Sequence, residues 1–98
     1  MKADAIVEVE LLASANGGRN GPTPSDKFGC PLEIESKFYD CRFDLTESGP
    51  LRPGYSTVVP VAFLFPDDVI PLLSQGTRFN LWEGRTIGTG RVISISSA

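Results

Sequence analysis

Histidine is absent from this chain of 98 residues, cysteine occurs twice, and tryptophan and methionine occur once each. Without histidine, the commonest general base and the commonest metal ligand are lost together. A serine triad of the usual type and a cysteine–histidine pair cannot be assembled. Two cysteines are too few for a four-ligand zinc centre unless a second chain contributes. Runs of about 18 apolar residues are also missing, so no membrane-spanning helix is available. Acidic residues outnumber basic ones by 12 to 9, giving a net charge of −3. A domain that grips RNA by its phosphates ordinarily carries a basic face, so this balance argues against nucleic acid and for a protein partner. Glu8 and Glu10 fall where a signal peptide needs its apolar segment, and a cytoplasmic location is expected.

What is present suits one small domain over residues 1–98, with 41% hydrophobic and 21% charged residues. The 10 glycines and 8 prolines point to many turns between short strands. Ala5 to Leu12 alternates as a half-buried strand, with Ala5, Val7, Val9 and Leu11 on one face. A loop rich in Gly, Asn, Ser and Pro follows from Ala13 to Lys27, long enough to carry function or to cross a barrel end. Leu32–Ile34 and Phe38–Phe43 flank Glu35-Ser36-Lys37 as a hairpin, and Pro31 suggests that its first strand starts at, or lies on, an edge. Thr57–Phe65 is the most strand-like run, and Pro60 requires an edge or a bulge there. One or two helical turns are expected over residues 66–73. Asp67 and Asp68 would stand at their positive end, with Val69, Leu72 and Leu73 over the barrel mouth. Six or so strands with frequent turn signals predict an all-β closed antiparallel barrel or sandwich.

No constellation for catalysis emerges, so the chain is read as non-enzymatic, without cofactor or metal. Gly17-Gly18-Arg19-Asn20-Gly21 lacks the lysine and hydroxyl residue of a phosphate loop, and Gly88-Thr89-Gly90 lacks the last glycine of a dinucleotide fingerprint. Asp67 and Asp68 are adjacent, which suits a helix start and not two carboxylates flanking a scissile bond. If Glu35-Ser36 is a two-residue hairpin loop, Cys30 and Cys41 stand opposite one another. They are read first as small buried hydrophobes and second as a redox pair. Trp82, beside the last turn, is either a contact anchor on the outer face or a cap on the barrel end.

The C-terminal stretch is the most specific. Arg78-Phe79-Asn80-Leu81-Trp82 alternates, breaks at Glu83-Gly84-Arg85, and resumes through Gly88 and Gly90 as a return strand bent or bulged by glycine. Together with Gly17-Gly18-Arg19, Pro53-Gly54 and Gly76-Thr77-Arg78-Phe79, in that order, it resembles the C-terminal (third) domain of elongation factor Tu from end to end. The resemblance implies a six-stranded antiparallel Greek-key barrel. In that family the domain packs on a GTPase domain and contacts aminoacyl-tRNA and the nucleotide-exchange factor. By motif position, Glu83, Gly84 and Arg85 match the hairpin tip that approaches the tRNA backbone, and Gly17, Gly18 and Arg19 match a loop in the first half. After Gly-Gly-Arg the family continues His-Thr-Pro-Phe, whereas this chain has Asn20-Gly21-Pro22-Thr23.

Two functions are therefore expected in order. The first is a free-standing protein-interaction module, binding a partner or a second copy through an apolar patch near Trp82, Leu64 and Leu73. The second is an RNA-binding accessory in translation, contacting tRNA through Arg19 and Arg85, with Arg91 as a further member of the basic cluster. A thiol-responsive device built on Cys30 and Cys41 ranks third.

Overall fold

The computed structural model describes residues 2–96. Six strands run in the order β1 (Ala5–Leu11), β2 (Lys27–Ile34), β3 (Lys37–Asp44), β4 (Ser56–Phe63), β5 (Arg78–Trp82) and β6 (Thr86–Ile95). A single helical turn, α1 (Pro66–Val69), continues into a 3-10 turn at Ile70–Leu72. All neighbours are antiparallel, and the strands close as β1-β4-β3-β2-β5-β6. Consecutive strands β2, β3 and β4 lie side by side and β1 returns beside β4, which is the Greek-key arrangement. Among the described residues no helix is long and apolar enough to cross a membrane.

Period-two alternation builds the core. Ala5, Val7, Val9 and Leu11 of β1 point inward, opposite Val59 and Val61 of β4 and Val92 of β6. Phe43, Leu32 and Leu81 fill the centre, and Phe28 stacks on Phe43 with ring centroids 6.3 Å apart. Each such side chain contributes roughly 1.5–3 kcal/mol on burial. Val69 and Leu73 close one mouth of the barrel, as expected, while Leu72 turns outward. Leu73 is buried and so does not belong to the surface patch in which it was expected. In the long first loop, the Thr23 hydroxyl accepts the Leu51 N–H at 2.9 Å and donates to the Pro24 carbonyl at 3.0 Å.

Hairpin β2–β3 has the expected register, with Cys30 opposite Cys41 and Ile34 opposite Lys37. Its strands begin and end further out than the apolar runs suggest, because outward Gly29, Pro31 and Asp44 carry no apolar signal. Both loop residues have positive φ, Glu35 at 50° and Ser36 at 68°. This matches the primed turn that fits strand twist, but places two residues with a Cβ where Asn-Gly is preferred. Both prolines fall where one side of their strand is unpaired, as a residue without an N–H requires. The β2–β5 ladder holds only Leu32–Leu81 and Glu33–Asn80, and Pro31 lies one residue past it. The β3–β4 ladder holds Cys41–Phe43 against Val61–Phe63, and Pro60 lies one residue past its end.

Strand β6 closes the barrel by pairing with β1 and β5 at once. The register shifts fall where β6 has an extra residue, Ile87 between Gly88 and Thr86, and Ile93 between Val92 and Ser94. The bulges are therefore not at the glycines, as the sequence suggested. Gly90 serves close packing instead, because a Cβ there would lie 2.5 Å from the Phe79 ring and 2.7 Å from the Glu8 carbonyl oxygen.

Two opposite outcomes follow for urea unfolding. Gly90→Ala is expected to lower stability by about 2 kcal/mol through overpacking. Ser36→Gly is expected to raise it by about 1 kcal/mol by relieving a positive-φ residue with a Cβ.

Candidate functional site

The β5–β6 turn and the first loop meet in space and bring Arg19 and Arg85 into one neighbourhood. Gly84 takes φ 71° at the tip, and the Glu83 N–H bonds to the Arg85 carbonyl at 2.8 Å, holding the turn tight. Arg19 reaches both Glu83 carboxylate oxygens at 2.7 Å. Its guanidinium also lies 5.1 Å from the centroid of the Phe28 ring, a cation–π contact. Arg85 donates from Nε to the Gly17 carbonyl at 2.8 Å and from a terminal nitrogen to the Gly18 carbonyl at 3.2 Å. Gly18 must be glycine, since a Cβ would sit 1.9 Å from the Leu12 carbonyl oxygen. The loop thus packs against the end of β1 and is tied down by the hairpin tip.

Arg91 does not join this cluster. It pairs with Glu8 at 3.0 Å on the neighbouring strand and lies about 20 Å along β6 from Arg85. The Arg19–Glu83 pair is a quarter to a third exposed, so it contributes no more than about 1 kcal/mol. Its role is positional. Both cations that the tRNA reading relies on already have partners within the fold.

Trp82 stands on the outer face, half-buried, and does not cap the barrel end. Its ring meets Phe38 at 5.2 Å between centroids, tilted by 55°, reaching across β2, which lies between β3 and β5. Beneath them Asn80 donates to the Glu33 carboxylate at 3.1 Å, across the short β2–β5 ladder. Phe38 remains 50% exposed, and Leu64 and Phe65 remain 56% and 62% exposed. Phe38 and Phe65 both line a hollow of about 250 Å³ that also includes Asp40 and Asp68. Leu64 borders a second, shallower hollow of about 460 Å³ with Gly29, Pro31, Arg42 and Ala62, and Asp40 is common to both. Phe65 and Phe38 were not singled out by sequence. The signal available was Phe65 immediately before Pro66, a strand end at which an apolar side chain has no neighbouring strand to cover it.

Cys30 and Cys41 are both buried and free. The Cys41 thiol donates to the Cys30 carbonyl at 3.2 Å. Contact with the Cys30 side chain, and then burial, hold the Cys41 thiol far above the usual range, so it stays protonated. This is the environment of an inert core cysteine. Among the described residues no three or more His, Cys, Asp or Glu side chains gather as a metal site.

No protein-family model matches this sequence, and no curated protein is similar to it.

Two measurements check this account. In native buffer a thiol reagent should titrate neither cysteine at a rate comparable to the denatured chain, where both react freely. Arg85→Ala should cost about 1 kcal/mol by releasing the Gly17 and Gly18 carbonyls, and should speed amide exchange in residues 13–21.

Proposed function

We propose that this chain is a non-catalytic β-barrel binding module, of the kind found as the third domain of elongation factor Tu, that docks another protein through its aromatic face. The single observation that carries the reading is the grouping of Phe38, Leu64 and Phe65, each at least half exposed, beside the Trp82–Phe38 pair. Isolated exposed apolar residues are ordinary, but aromatics grouped around a hollow are the usual anchors of a protein interface. The rim is polar and acidic, with Asp40, Asp67 and Asp68.

Contact with tRNA through Arg19 and Arg85 is the weaker reading. Each guanidinium would have to leave the fold's own acceptors, and the net charge of −3 opposes the approach of phosphates.

Affinity capture from native lysate, with and without nuclease, tests the proposal. A partner is expected that survives nuclease and falls at least about tenfold on Trp82→Ala or Phe65→Ala, as truncation of an interface anchor does. Partners that vanish with nuclease, or that are unmoved by both substitutions, would overturn it.

A further inference from the structure

Where β4 leaves the barrel, β3 is left with an incomplete rung. The two-residue turn makes Ile34–Lys37 a bonded pair, so Lys37, Tyr39 and Cys41 direct their backbone groups toward β2. Phe38, Asp40 and Arg42 therefore turn theirs toward β4. Arg42 is paired with Ala62, and the Asp40 carbonyl still accepts the Leu64 N–H at 3.0 Å. The next position along that ladder would match Phe38 with Pro66, which has no N–H and already begins α1. By this alternation the N–H and C=O of Phe38 face the hollow beside Phe65, and outside the strand ladders neither bonds to a group among the described residues.

The same hollow, about 250 Å³, is lined by Phe38, Tyr39, Asp40, Phe65, Asp68 and Val69. It holds apolar walls, two carboxylates and no cation. We infer that it takes an extended peptide segment of a protein partner, carrying an aliphatic or aromatic anchor beside a lysine or arginine, which completes the rung at Phe38. This inference rests on the protein-interaction reading and specifies its occupant. One residue of the peptide exchanges backbone hydrogen bonds with Phe38. Its neighbours alternate in direction, placing the anchor between the Phe38 and Phe65 rings and the basic group at Asp40 and Asp68. A helical peptide would leave the Phe38 rung unmatched. A second copy of this chain brings the same negative charge and, in a closed barrel, no free strand to lend. Nucleic acid would set phosphates against the two carboxylates.

Selection of random linear peptides from a displayed library on the folded protein, followed by fluorescence anisotropy with the recovered peptides, tests this. The expected binders share a hydrophobic residue next to Lys or Arg and shift the Phe38 amide resonance. They weaken about tenfold in each of two controls, N-methylation of the rung-forming residue and Asp40→Asn with Asp68→Asn. The peptide-side control leaves the protein unaltered, so the result stands even where a substitution disturbs the fold. Recovery of no binder, binding indifferent to N-methylation, or equal binding of charge-reversed peptides would overturn the inference. If a lysate partner still depends on Trp82 and Phe65 while no linear peptide binds, the occupant is wrong and the interaction reading stands. If neither a partner nor a peptide is found, both fall.

Discussion

Closure of the barrel through β6 is the constraint on which the remainder depends. This strand must lie against β1 and β5 together, and the Phe79 ring occupies the space a side chain at residue 90 would need. Two single-residue bulges then let β6 bend far enough to meet both neighbours. With the barrel shut, one core of short aliphatic strands and a few aromatics is sufficient, and every strand has a neighbour on both sides over part of its length. The cost falls on two short ladders, β2–β5 and β3–β4, where strands of unequal length diverge.

Those short ladders determine what the surface offers. Across β2–β5, where only two residue pairs match, Trp82 and Phe38 reach over the intervening strand and Asn80 bonds to Glu33. Beyond β3–β4, the chain leaves into α1 and uncovers Phe65 and the backbone of Phe38. Packing demand and surface chemistry therefore meet at one place. The residues that would cover the apolar face in a longer ladder are absent because Pro66 ends it.

The Gly17-Gly18-Arg19 loop and the Glu83-Gly84-Arg85 tip are partners within the fold. They come together across 64 to 68 residues of chain, and their charges and carbonyls satisfy one another. An arginine already held by a carboxylate or by two carbonyls is a poor donor to a phosphate, since the new contact must replace an old one. Sequence order could not show that the charged groups of these two segments would satisfy one another.

Local periodicity was sufficient for the strands, the Cys30–Cys41 register, the helix start at Pro66-Asp67-Asp68 and the core of β1, because each depends on neighbours within a few residues. Strand ends were misjudged at Gly29 and Pro31, where outward positions carry no apolar signal. The assignment of Leu73 to the surface failed because a short helical turn can present an apolar side chain either way, and only the barrel mouth selects which. Glycine in β6 was read as the source of the bulge, when its purpose is set by Phe79, eleven residues earlier in the chain. By itself, then, the sequence determined which segments are strands, where they turn and which face is apolar, since these are properties of adjacent residues. Tertiary structure alone decided where the ladders run out, which cations are already engaged and which aromatics remain exposed, because each depends on groups brought together from distant parts of the chain.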